Sequence, residues 1–212
     1  MDDAPVDKPG TRVAADAALR IRGEARRFVS RGGEKLAGAL ADLGVDPAGR
    51  LCLDVGASTG GFSDCLLQAG ARGVVAVDVG YGQLDWRLRG DPRVTVRERT
   101  NARHLQPQDL PEAPIELVVL DASFISATLL LPRLRELCPS AEFLVLVKPQ
   151  FEVGREQVGK GGVVRDPALR ADAVARVRTC AGSLGLAVRG EAESRLPGPR
   201  GNREVFLWLA PA

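Results

Sequence analysis

"LCLDVGASTGGFSDCLLQ", residues 51–68, passes from an apolar run through a glycine-rich turn into an amphipathic tail. The run reads as a strand. In the tail, Phe62, Cys65, Leu66 and Ala69 fall at i, i+3, i+4 and i+7, one face of a helix, and Gly70 supplies the stop. A strand, a tight glycine turn and a helix in this order open a βαβ unit. Outward from it, further strands are expected at "GVVAVDV", "RVTVRE", "IELVVLD", "EFLVLVK", "GLAVRGE" and "REVFLWLA". Helical patterns lie between them, among them "DPALRADAVARVRTCAGSLG", with Asp166 as cap, Pro167 in the first turn and Gly185 at the stop. Five of the runs are almost continuously apolar, which suits a sheet covered on both faces. The last two are joined by the loop "SRLPGPRGN" and no helix, so the seventh strand is expected to return antiparallel. The expected fold is α/β: a seven-stranded, mostly parallel sheet with an antiparallel last strand and helices on both faces.

The chain has 212 residues, 45% of them hydrophobic, enough for one α/β domain and a short appendage. A formal charge of +2 leaves nucleic-acid binding to local patches. Cys52, Cys65, Cys138 and Cys180 form no C-x-x-C pair and have only His104 to join them, so no metal site is expected. Free cysteines suit a cytoplasmic protein, and no apolar stretch approaches the ~20 residues of a membrane span. Residues 1–27 are rich in Asp, Arg, Ala and Pro, with at most two short extended pieces, "TRV" and "ALRI", and cannot bury a core. After them "FVSRGGEKLAGALADLG" reads as a helix with Leu36, Ala39, Leu40 and Leu43 on one face.

In an open parallel sheet a ligand sits beyond the carboxyl ends of the strands, against the turn after the first one. Gly56, Gly60 and Gly61 would let a nucleotide-like group approach the backbone. A dinucleotide fingerprint needs G-x-G-x-x-G, but Ser58 occupies the second glycine's place. Asp54 adds a carboxylate that opposes a pyrophosphate and complements the ammonium of S-adenosylmethionine. Asp78, ending the second strand, is placed to bind ribose hydroxyls. These features favour S-adenosylmethionine over a dinucleotide or a turn that only packs helix on strand. "GREQVGKGG", residues 154–162, begins like a phosphate-binding loop but has Gly161 where a Ser or Thr is required, and reads instead as a lid over a site.

Four charged residues fall where the apolar interior meets this edge. Asp121 and Lys148 close central strands, Glu204 opens the antiparallel strand, and Lys35 lies early on the first helix. Singly, each reads as an ordinary cap or solvated side chain; together, beside a cofactor loop, they read as a catalytic constellation.

"FVSRGGEKL", "LDVGASTGGFSDCLLQ", "VDVGYGQL", "RERTNAR", "LDASFIS", "VLVKPQFEVGRE", "VGKGGVVRD" and "GNREVFL" occur in the order in which the TlyA/haemolysin A family carries them, and from about Phe28 onward the chain resembles that family. The resemblance implies a Rossmann-like class I methyltransferase, FtsJ-like, acting on a cytidine 2′-hydroxyl of ribosomal RNA or ribosomal subunits. It implies a lysine, aspartate, lysine, glutamate tetrad at Lys35, Asp121, Lys148 and Glu204. It also implies an S-adenosylmethionine site at Asp54, Gly56, Ala57, Ser58, Thr59, Gly60, Gly61, Phe62, Asp78, Val79 and Asn101. Residues 28–212 would be the methyltransferase domain. Residues 1–27 resemble only the last portion of the family's N-terminal alpha-L RNA-binding domain, and are expected to be a partly disordered remnant and linker. A ribose hydroxyl needs a base, and Lys148 is the candidate, since burial and a neighbouring cation favour an amine able to take a proton. Asp121 would orient it, while Lys35 and Glu204 would hold the ribose. Arg26, Arg27, Arg31, Arg155, Lys160 and Arg165 are candidates for a basic rim. The competing reading is an RNA-binding or ribosome-assembly factor that keeps the cofactor fold without catalysis. No membrane partner is expected.

Overall fold

The computed structural model describes residues 11–14, 16–17 and 26–212. Residues 11–14 form neither helix nor strand, and "ALRI" lies outside the described residues, as does most of the proposed N-terminal remnant. From Arg31 the chain runs through six α-helices and seven strands. The helices are α1 (Arg31–Leu43), α2 (Gly61–Gln68), α3 (Trp86–Arg89), α4 (Leu131–Leu137), α5 (Pro149–Glu152) and α6 (Pro167–Ser183). The strands are β1 (Leu51–Val55), β2 (Gly73–Val77), β3 (Val94–Arg97), β4 (Leu117–Leu120), β5 (Glu142–Val147), β6 (Leu186–Glu193) and β7 (Val205–Pro211).

They form one seven-stranded sheet in the order β3-β2-β1-β4-β5-β7-β6. β1 pairs in parallel with β2 and β4, and β7 runs antiparallel between β5 and β6. The expected sheet, including its reversed last strand, is the one observed. The order reverses at β1 and β4, the place where open α/β sheets bind ligands.

Near-continuous apolar strands resolve into two faces because successive side chains alternate. Leu53, Val55, Val118, Leu120, Phe143, Val145 and Leu207 pack on the side of α4 and α6. Cys52, Val74, Leu117, Val119, Leu144, Leu146 and Phe206 pack against α1 and α2. Asp54, Asp121, Lys148 and Glu204 have the parity of this second set, so each would emerge on the α1 side of the sheet.

Local signals set the helix boundaries. The Ser30 side chain accepts from Gly32 N–H to start α1, and Gly44 ends it with φ 69°. Asp166 Oδ1 accepts from Ala168 N–H at 2.8 Å to start α6. No helix among the described residues is long and apolar enough to cross a membrane, and none of their His, Cys, Asp and Glu side chains group to hold a metal ion. The four cysteines are free thiols. Asp166→Ala removes this cap, and should lower the unfolding free energy by about 1 kcal/mol in urea titration.

Candidate active site

Past the carboxyl ends of β1, β4 and β5 lies a cavity of about 680 Å³, within the range of small-molecule sites. Gly56, Ala57, Ser58, Thr59, Gly61 and Phe62 line one side, and Lys35, Asp121, Lys148 and Glu204 another. The glycine turn and the four charged residues therefore share one space.

The tetrad is two ion pairs. Lys35 Nζ donates to Glu204 Oε2 at 2.5 Å, with both residues buried. This bond joins α1 to the start of β7. Lys148 Nζ lies 2.5 Å from Asp121 Oδ1 and donates to Ser123 Oγ at 2.9 Å. Asp121 Oδ1 gains no aligned hydrogen bond, so its contact with Lys148 is an ion pair of charge and proximity. Strand register brings these groups together: Val147 pairs with Val205, so Lys148 and Glu204 leave neighbouring strands at the same level. Glu204 Oε1 is buried without a partner.

The glycines of the turn line or adjoin the cavity and also clear space for protein. A Cβ on Gly56 would stand 2.6 Å from the Asp121 carbonyl oxygen, and on Gly61 2.2 Å from Ser30 Oγ. On Gly60 it would stand 2.2 Å from Leu88, and Gly56 and Gly60 also have φ of 87° and 93°. Ser58 holds a positive φ of 49° without being glycine, a conformation costing about 1–2 kcal/mol. Asp78 Oδ2 accepts from Ser58 N–H at 2.8 Å and Oδ1 from Gly80 N–H at 2.7 Å, which ties the turn to the end of β2.

Asp54 lies beneath the turn and is fully buried, so it does not line the cavity. Its Oδ2 accepts from Ser63 Oγ on α2 at 2.6 Å, while Oδ1 has no partner. Burial pushes its carboxyl up to about 7 against the opposing Ser63 hydrogen bond, with the nearby Asp121 and Asp78 adding to the rise. Gly60, Asp78, Val79 and Asn101 are also outside the lining. Val79 is exposed, and Asn101 Oδ1 accepts from Arg103 N–H to cap the turn after β3. Asp78 and Asn101 nevertheless follow β2 and β3 at the same sheet edge.

The structure also brings in residues that were not singled out from the sequence. Phe124 is 92% exposed with φ 65°, and its ring lies 5.3 Å from that of Phe151 on the cavity wall. Gln150, Pro197, Pro199, Arg200 and Asn202 line the rest. Asn202 is buried, accepting from Val164 N–H and donating to the Gly162 carbonyl, so the 159–163 hairpin of "VGKGG" is tied over the cavity. Arg26 and Arg31 reach the lining, whereas Arg27, Arg155, Lys160 and Arg165 do not. The only advance signal for the missed residues was position: all follow or precede strand ends at this edge.

The sequence profile of the FtsJ-like methyltransferases matches residues 28–210. The chain belongs to that family. It is 54% identical over 99% of its length to the 16S/23S rRNA (cytidine-2′-O)-methyltransferase TlyA of Mycobacterium tuberculosis, covering 78% of that protein. A crystal structure of a Lactococcus lactis protein assigned as a hemolysin superposes with TM-score 0.84 at 43% identity, covering 88% of this chain and 89% of the other. Magnesium protoporphyrin IX methyltransferase of Synechocystis, solved with bound S-adenosylmethionine, shares the fold alone, with TM-score 0.57 at 17% identity over 90% of this chain and 87% of that one. In this FtsJ-like chain the family's fold accounts for the sheet order and for the cavity's place at its switch point.

Because the folded state raises the Asp54 carboxyl above the ordinary value of about 4, the protonated form favours the fold. That contribution is full below about pH 4 and is lost as the pH rises through about 7. In denaturant unfolding, the parent should therefore lose stability relative to Asp54→Asn over this window, by on the order of a few kcal/mol. A difference independent of pH would contradict the burial account.

Proposed function

We propose that the protein transfers a methyl group from S-adenosylmethionine to a cytidine 2′-hydroxyl of ribosomal RNA. The observation that carries this reading is the placing of two ion pairs, Lys35–Glu204 and Lys148–Asp121, in the same cavity as the Gly56–Gly61 turn. Support for the substrate comes from the M. tuberculosis relative, whose name gives that reaction.

The residues present fit the cofactor. Asp54 offers a buried oxygen without a partner beneath the turn, and Asp78 already orders Ser58 and keeps lone pairs for further donors. Residues 56–59, Phe62, Asp78, Val79 and Asn101 would hold it, with Asp54 bracing the turn from below through its hydrogen bond to Ser63. When bound, S-adenosylmethionine supplies a methyl group on a sulfonium, already reactive toward a nucleophile.

What the protein adds is position and a place for one proton. Lys148 receives the hydroxyl proton at Nζ, directed by Asp121 and Ser123. For the amine to accept it, a proton first passes from Nζ across the 2.5 Å contact to Asp121, which is open to water on one side. Lys35 and Glu204, buried as a pair, fix the wall against which the ribose lies and keep charge balanced there. Phe124 presents an exposed ring at the rim, an apolar platform for a nucleobase. Arg26, Arg31 and Arg200 beside it suit phosphates.

Lys148→Ala should reduce methyl transfer to isolated ribosomal subunits by at least about a hundredfold while changing cofactor affinity by less than about twofold in calorimetry. Parent-level transfer by this variant would overturn the assignment. Asp78→Ala should instead weaken cofactor binding by about tenfold or more. Subunit binding by the parent should fall steeply with added salt; binding indifferent to salt would point to a small-molecule acceptor.

A further inference from the structure

Glu152 is a buried carboxylate that the chemistry above does not use, and it does not line the cavity. It ends α5, the short helix directly after Lys148, and reaches across to the loop that follows Asp121. Oε1 accepts from Ala127 N–H at 2.8 Å, and Oε2 accepts from the Ser126 hydroxyl. The Glu152 carbonyl accepts from Arg176 on α6 at 3.1 Å, which ties the anchor to the body of the domain.

Segments 121–128 and 148–152 are thereby joined at three levels. Lys148 meets Asp121 and Ser123 at the first, Phe151 meets Phe124 at the second, and Glu152 meets Ser126 and Ala127 at the third. Phe124, at the second level, stands between the other two with positive φ, a conformation that a bulky residue keeps only where its surroundings fix it. The first two levels belong to the cavity. The third touches neither the cavity nor the groups assigned to proton transfer, so its effect reaches the site only through the loop.

We propose that Glu152 is a positioning residue: by holding Ser126 and Ala127 it keeps Asp121 beside Lys148 and Phe124 on the rim, and so sets where the substrate ribose meets the amine. The inference rests on the methyltransferase reading of the site. It predicts that hydrogen-bond geometry matters and charge does not. Burial already pushes the Glu152 carboxyl up, against the opposing bonds from Ser126 and Ala127. A glutamine keeps both contacts: its carbonyl accepts from Ala127 N–H, and its amide donates to Ser126 Oγ. Ser126 then turns its own hydrogen toward Thr128 Oγ1, 2.7 Å away. Alanine removes both contacts and leaves a buried N–H without an acceptor.

The test uses the full chain with isolated ribosomal subunits, and expresses kcat per cofactor-binding site counted by calorimetry, so that unfolded protein is excluded from the rate. Glu152→Ala should lower kcat at least about tenfold with cofactor affinity within about twofold of the parent, and Glu152→Gln should recover kcat to within about threefold. Parent kcat in Glu152→Ala, or glutamine performing as poorly as alanine, would overturn the proposal. If the parent itself transfers no methyl group, the functional reading fails separately. The positioning claim is then read from the fluorine spectrum of 4-fluorophenylalanine placed at position 124. One narrow line in the parent and in Glu152→Gln, shifted or broadened in Glu152→Ala, supports it; an unchanged line in Glu152→Ala overturns it.

Discussion

Two lysines and two carboxylates occupy the open end of a mostly apolar sheet face, each held against a partner of opposite sign. Taking such charges out of water costs several kcal/mol per ion, and the partner's attraction offsets that cost only when both are in place. Removing one member of a pair as buried as Lys35 and Glu204 costs about 3–5 kcal/mol, because the other charge is left stranded. The pairs therefore constrain the fold as well as the chemistry. Lys35 on α1 and Glu204 before β7 lock the first described helix to the last strand, and Lys148 and Asp121 close the gap between the ends of β5 and β4.

This arrangement follows from strand parity. Asp121 continues the Leu117 and Val119 series, Lys148 the Leu144 and Leu146 series, and Glu204 the Phe206 series, all on the face covered by α1 and α2. That much was legible from the chain: the strands, the reversed last strand, the cap at Asp166 and the stop at Gly185, and the convergence of four charged residues at one edge. Each depends on spacing within an element or on the rule that strand ends gather at one side of the sheet. Asp54 belongs to the same face but stands one layer lower, under α2, where its neighbour is Ser63. Its type and position were readable, but its complete burial was not, because that depends on how closely α2 sits on β1.

The glycine turn marks another limit of sequence reading. Gly56, Gly60 and Gly61 are placed by their contacts with the Asp121 backbone, Leu88 and Ser30, none of which is close in sequence. Their spacing announced a tight turn, and only the packing shows what fills the space that a Cβ would take. The same reasoning covers Phe124, Gln150, Arg200 and Asn202. They lie in irregular segments or, for Gln150, in the single turn of α5, whose path is set by anchors such as Glu152 and the 159–163 hairpin, so no periodicity identifies them. Residues that the sequence could name act at strand ends, and residues that it could not name shape the space above them.

The central claim concerns which atom receives the methyl group. Ribosomal subunits incubated with the protein and labelled S-adenosylmethionine can be digested to nucleosides and resolved by mass spectrometry. The account predicts 2′-O-methylcytidine, with the adjacent phosphodiester resistant to alkaline cleavage because the 2′-oxygen no longer carries a proton. Label on the cytosine ring, or on no nucleoside at all, would contradict it.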